Sequence, residues 1–250
     1  MSGLLLAGDF YFNRLTADGQ ETSWEGPLNT TQLSVNTPST RVNRISKRKL
    51  TRGQALSSVT IGQPTEITIA LDDQPTSVLA MALQGEIATV NVGAGNVTDE
   101  AVTLPAGGGW ANLAHRNLAA EGLGAKLAAD DTEIPMAQIE TNFALGLVRG
   151  KPGTAMAAGG AIKFSYQHNA ISGRKIRGGI RSEARLKIKG DMKNLDTGNM
   201  MHFEVFECSV SPSAAVDLMA SEFVTTTLAG VVKLVDGQTE PFILEEIDTV

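Results

Sequence analysis

Thr65-Glu66-Ile67-Thr68-Ile69-Ala70-Leu71-Asp72-Asp73-Gln74-Pro75 carries the clearest structural signal in the chain. Ile67, Ile69 and Leu71 fall on one side of an extended backbone, and Glu66, Thr68 and Ala70 on the other. This strict period of two is the mark of a half-buried strand. The next four residues stop it. Two acids and a proline suit the start of a helix, where free N–H groups and the dipole favour them. A short helix is predicted over about 75–84, with an apolar stripe of Val78, Leu79, Ala82 and Leu83 and with Gly85 as its left-handed cap. At this position Asp72-Asp73 reads as a capping pair rather than a catalytic carboxylate pair.

Outward from this point strands dominate. Phe10 to Leu15 and Glu21 to Trp24 flank Ala17-Asp18-Gly19-Gln20, a hairpin signal. Glu183 to Lys189 alternates, with Ala184, Leu186 and Ile188 on one face. Phe203 to Val210 shifts phase between Val205 and Phe206, as a bulge would require. Phe223 to Leu234 reads as a strand, and Asp236-Gly237 turns it into Pro241 to Ile247, a second hairpin. Ser213 to Ala220 reads as a short helix or turn. From about Asn91 to Gly173 the chain is rich in Gly and Ala, yet holds strand-like pieces at Val97 to Leu104, Thr141 to Val148 and Ala161 to Gln167. The expected fold is mainly β: two antiparallel sheets packed as a β-sandwich or flattened barrel with one flanking short helix. Residues 1–90 and 174–250 form a discontinuous core, and 91–173 an inserted lobe.

Composition sets limits. The chain has 250 residues, 42% of them apolar and 19% charged, enough to bury a core. A net charge of −6 argues against a stand-alone duplex binder, which needs bases over most of a face. The run Leu4-Leu5-Leu6-Ala7 is too short for a signal core or a membrane span. A single cysteine, Cys208, leaves no internal disulfide and no Cys-based zinc site. An unexported, soluble protein of a reducing compartment is expected.

Recognisable catalytic chemistry is missing. No Walker A loop, Gly-x-Ser-x-Gly elbow or His-Glu-x-x-His is present, and Gly122-Leu123-Gly124 lacks the rest of a dinucleotide fingerprint. His115, His168 and His202 are far apart, and each reads as a structural or surface histidine. Cys208 reads as a small buried apolar group. No catalytic residue, metal or cofactor is expected. Charge, by contrast, is segregated. Arg41, Arg44, Lys47, Arg48, Lys49 and Arg52 lie within a stretch free of acids, and Arg174, Lys175, Arg177 and Arg181 form a second basic group. The end of the chain carries Asp236, Glu240, Glu245, Glu246 and Asp248 without a base. This pattern suits complementary self-contacts. The Arg41 to Arg52 stretch lacks the interleaved aromatics that stack bases. It reads as a loop docking on an acidic neighbour or as a solvated loop.

Taken in order, these pieces resemble a known family. Phe10-Tyr-Phe-Asn-Arg-Leu15 precedes the Asp-Gly turn, Gly26-Pro-Leu-Asn-Thr-Thr-Gln-Leu33, the basic loop, Pro64 to Asp73 and the short helix ending at Gly85. Ile171-Ser-Gly-Arg-Lys-Ile-Arg-Gly-Gly179, the turn Asp196-Thr-Gly198, Phe203 to Pro212 and a last hairpin follow. Trp110-Ala-Asn-Leu-Ala-His-Arg-Asn117 and Phe164-Ser-Tyr166 add to the likeness. This order is similar to that of the major tail tube proteins of long-tailed bacteriophages. The resemblance implies a virion protein made in the host cytoplasm. It forms homohexameric rings stacked into a tube through which DNA passes, and its partners are its own copies and the tape measure, tail tip and tail terminator proteins, with no membrane. At −6 per copy, six copies give −36 per ring. A bore lined by acids would let DNA slide, with Glu66 and Asp72 as candidate lumen groups. The basic loop corresponds in position to a long loop that the family uses between subunits and rings. Its six bases, with Glu245, Glu246 and Asp248 as acidic counterparts, are the candidate interface. The alternatives are a related ring former (a tail terminator, or the tube protein of a contractile or secretion machine) and a β-sandwich binding module. Only two Trp and two Tyr are available to line a module's cleft.

Overall fold

The computed structural model describes residues 3–16 and 18–247. The chain runs β1 (Leu6–Leu15), β2 (Glu21–Leu28), β3 (Thr30–Asn36), β4 (Ser39–Ile45), β5 (Ala55–Gly62), β6 (Glu66–Leu71), α1 (Thr76–Ala82), β7 (Glu86–Val92), β8 (Gly95–Leu104), β9 (Ala111–Asn112), β10 (Gly124–Leu127), β11 (Ile139–Asn142), β12 (Leu147–Gly150), β13 (Gly160–His168), β14 (Ile171–Arg177), β15 (Ala184–Asn194), β16 (Met200–Pro212), β17 (Thr226–Val232) and β18 (Phe242–Ile247). Two 3₁₀ turns, Met136–Gln138 and Ala155–Ala158, complete it. The protein is mainly β, with antiparallel sheets, one α-helix and a sandwich-like core. None of the described helices is long and apolar enough to cross a membrane. The chain divides into two compact units, one of residues up to Ala88 and from Ile176 onward, the other of Thr89–Lys175. β7 and β14, which pair with each other, carry the chain from one to the other and back.

The first unit is built on an eight-stranded sheet whose order is β2-β1-β15-β16-β17-β6-β3, with β18 added to β16. Its two end strands, β2 and β3, are successive in sequence and separated only by Asn29. One bent segment therefore pairs with β1 through its first half and with β6 through its second, Leu28 lying opposite Phe10 and Thr30 opposite Leu71. This closes the sheet into a flattened barrel. The interior is a single cluster that includes Phe10 and Phe12 from β1, Ile67, Ile69 and Leu71 from β6, Leu186 and Ile188 from β15, Val205 and Val210 from β16, and Val78 and Met81 from α1. Ile69 and Ile188 are fully buried. β15 alternates buried and exposed positions along its whole length, a sheet with one wet face.

The bend needs two local devices. Gly26 has φ +148°, and a Cβ there would sit 2.7 Å from the Phe10 carbonyl oxygen. Asn29 is gripped from the strand end: its N–H donates to Asp73 Oδ2 at 2.7 Å, and its Nδ2 to Asp72 Oδ2 at 2.8 Å. The Asp72-Asp73 pair thus serves the strand junction. It does not cap α1, whose N-cap is Pro75 with no side-chain hydrogen bond. At the other end of α1 the left-handed residue is Gln84 (φ +49°), not Gly85. Gly85 is required for another reason, since a Cβ would lie 2.7 Å from Ile176 Cγ2.

Three other expectations change. β17 and β18 do not form a hairpin. β17 pairs with Cys208 to Pro212 of β16, and β18 with Met200 to Val205 of the same strand. The bulge expected in β16 is present opposite Lys187 and separates these two partners. Residues 213–225 form neither helix nor strand, so β17 starts at Thr226 and Phe223 lies outside it. In the second unit, Thr141 to Val148 is not one strand but the end of β11, a turn and the start of β12.

The second unit has two three-stranded antiparallel sheets, β10-β13-β8 and β11-β12-β9, over a core that includes Leu104, Ile139, Val148, Ile162 and Phe164. Tyr166 donates to Glu100 Oε2 at 2.5 Å, while Glu100 Oε1 accepts the Ala114 N–H at 2.8 Å, which fixes the loop after β9. Burial, reinforced by Glu100, pushes the Tyr166 hydroxyl well above its ordinary range. His115 and His168 stack in parallel with ring centroids 4.0 Å apart.

Two predictions follow from the barrel. Replacing both Asp72 and Asp73 with Ala removes the grip on Asn29 and should lower stability by about 1–2 kcal/mol in urea melts. On the sheet's outer face Glu207 accepts from Arg185 Nε at 2.9 Å and lies 3.4 Å from Lys233 Nζ. The Arg185 hydrogen bond, ahead of charge attraction, holds the Glu207 carboxyl below its ordinary range. A lowered carboxyl adds stability above the unfolded-chain value of about 4.3 and loses it as pH falls through the folded value. Glu207→Gln should therefore be less stable than wild type by about 1–2 kcal/mol at pH 7. The gap should close progressively below about pH 4 in a pH series of thermal melts.

Candidate assembly surface

The six bases expected on a loop belong to a β-hairpin. β4 and β5 pair with each other in a separate two-stranded sheet, and every residue of both is exposed. At about 3.3 Å per residue the arm is roughly 25 Å long. Val42 lies opposite Val59 and Thr40 opposite Ile61, which puts three large apolar side chains on one face. The other face is polar at Arg41 opposite Thr60 and at Asn43 opposite Ser58, and carries Ile45 and Leu56 toward the tip. Arg44 stands on the apolar face near the tip. The tip itself carries Lys47, Arg48, Lys49, Leu50 and Arg52, with Leu50 93% exposed. It is ordered from within: Ser46 is buried, its hydroxyl is 2.8 Å from Thr51 Oγ1, and its N–H donates to the Gln54 carbonyl at 2.8 Å. None of the six bases forms an ion pair with a described acid. The pairing of short apolar residues with Ser, Thr and Asn disguises the arm in sequence. The usable signal was the period of two in Val59 and Ile61 against Ser58 and Thr60.

The acidic counterparts lie elsewhere. Glu245 and Glu246 are exposed on β18, and Asp248 lies outside the described residues. Glu246 accepts from Asn199 Nδ2 at 2.8 Å. Glu245 stands opposite His202, which in turn is opposite Asp191 and 3.5 Å from it, while Asp191 is opposite Asp9. Three carboxylates and an imidazole thus share one row across four strands. Glu66 is exposed at the start of β6 and accepts from Asn36 Nδ2 at 3.1 Å. Asp72 is turned to Asn29, and its other oxygen is buried without a partner, so of the two lumen candidates Glu66 is the one open to solvent. The structure does not bring the arm onto these acids within one chain.

Of the second basic group, Arg181 pairs with Glu86, whereas Arg174, Lys175 and Arg177 form no ion pair with a described acid. A cleft of about 650 Å³ is lined by Arg14, Thr16, Glu86, Arg181, Arg185 and Lys233 among others. Within it Arg181 pairs with Glu86, and Arg185 and Lys233 with Glu207. Among the described residues no group of three or more His, Cys, Asp or Glu side chains is placed to hold a metal ion. Cys208 is fully buried, and burial pushes its thiol up to about 12, which leaves it unreactive in the folded state.

No curated protein matches this sequence. A family model does, across residues 4–240, a span that takes in the arm, the second unit and every strand of the barrel but β18. The chain belongs to that family, described as Protein of unknown function UCP028589.

Proposed function

We propose that this chain is the structural subunit of a phage tail tube, a protein that closes into homohexameric rings and stacks them. The observation that carries this reading is the β4–β5 arm. A hairpin exposed along its whole length, with an apolar face and six bases that pair with no described acid, suits contact with another copy. Such exposed apolar surface marks an interaction site. Strand margins that the closure leaves unpaired add support: among the described residues β2, β3 and β18 each have a single ladder partner. Edges of this kind are a hazard unless another copy covers them, and ring closure covers them all. The same surface would serve a tail terminator or the tube protein of a contractile or secretion machine.

In this reading the arm bridges subunits or rings, and Glu66 contributes to a negatively charged bore that does not retain DNA phosphates. The tape measure, tail tip and terminator proteins are the further partners, and the virion is the destination. Electrostatic steering brings the bases of the arm to acids of a neighbour before the apolar face is buried.

Negative-stain microscopy of concentrated protein should show rings of six and long tubes. Single capped rings would favour the terminator reading, and a monodisperse monomer at every concentration and salt would refute assembly. Replacing Lys47, Arg48 and Lys49 together with Glu should raise the concentration needed for tubes by about tenfold or more at equal salt. Tubes that form as readily as wild type would remove the arm from the interface.

A further inference from the structure

The segment between β16 and β17, residues 213–225, also leaves large apolar side chains in water, two of them almost wholly exposed. Leu218, Met219 and Phe223 are 67%, 90% and 99% exposed. The segment is held in a turned conformation, not a strand: Asp217 Oδ1 accepts the Met219 N–H at 2.9 Å, and Ser213 N–H donates to the Thr227 carbonyl at 3.0 Å. Its charge is of one sign. Asp217 and Glu222 are its only ionisable side chains, and no Lys, Arg or His occurs from Ser209 to Val232. Neither acid forms an ion pair with a described base.

This surface complements the arm in both respects. The arm offers Leu50, Val42, Val59 and Ile61 among bases; the segment offers Leu218, Met219 and Phe223 among acids. The acidic end of the chain is a poorer match. There Glu246 already holds Asn199, Glu245 shares a row with His202, and β18 is committed to β16. We propose that the β4–β5 arm of one copy seats on residues 213–225 of a second copy. Its apolar face covers Leu218, Met219 and Phe223, and its bases meet Asp217 and Glu222. The proposal rests on the reading that copies assemble through the arm, and it names the acceptor.

Two single-site variants, Leu50→Cys and Phe223→Cys, mixed in equal amounts under mild oxidation, test it. Cys208 is silent because it is buried. A disulfide-linked dimer on a non-reducing gel is expected, and it should be lost when Asp217 and Glu222 in the Phe223→Cys protein are both replaced with Lys. The control pair is Leu50→Cys with Leu244→Cys on β18. Cross-linking to Leu244→Cys alone would overturn the proposal in favour of the acidic end. Tubes by microscopy without a Leu50–Phe223 cross-link would overturn the docking and leave the tube reading standing. The cross-link without rings or tubes would support the docking and refute the tube. Neither product would refute both.

Discussion

The barrel depends on one short junction. β2 and β3 reach β1 and β6 respectively only because the chain bends at Asn29, and Asn29 is held by the two carboxylates that end β6. The grip holds the bend at which one segment passes from β1 to β6. With it, the sheet becomes a closed layer around Ile67, Ile69, Leu186 and Ile188. Charge-assisted hydrogen bonds suit this task, since each is stronger than a neutral one and directional. One of the four carboxylate oxygens remains buried and unpartnered, a local cost of fitting two acids against one asparagine.

Closure of the core determines what is left outside. With the apolar interior satisfied within one chain, the arm and the 213–225 segment still leave large apolar side chains in water. In the cleft beside Arg14, by contrast, Arg181, Arg185 and Lys233 are matched by Glu86 and Glu207 from the same chain, and Arg14 donates to the Gly85 carbonyl. The arm's bases find no such match at home.

Much of the barrel was legible from local pattern. Period-two alternation located β6 and β15, the Asp18-Gly19 signal located the β1–β2 hairpin, and the phase shift after Val205 located the bulge in β16. What failed was pairing at a distance. Asp236-Gly237 suggested that β18 folds back on β17, whereas β16 is long enough to serve both in succession. Asp72-Asp73 looked like helix caps because the sequence places Pro75 next to them; the demand of Asn29, over forty positions earlier, is invisible to local reading. In sequence the arm reads as a loop because its six bases crowd into Arg41 to Arg52 and mask the alternation of β4. The chemistry of its charges was plain from sequence, but its apolar face needed the register of Val42 with Val59.

The route taken by the chain between its two units has a consequence for how such a protein can change. It departs along β7 and comes back along β14, and those strands lie side by side. To the barrel, everything from Thr89 to Lys175 is equivalent to the tip of a hairpin. The entropy of closing a loop grows only with the logarithm of its length, so swapping, shrinking or enlarging that module leaves the framework's own energetics nearly untouched. Evolution can therefore rework the second unit while conserving the first.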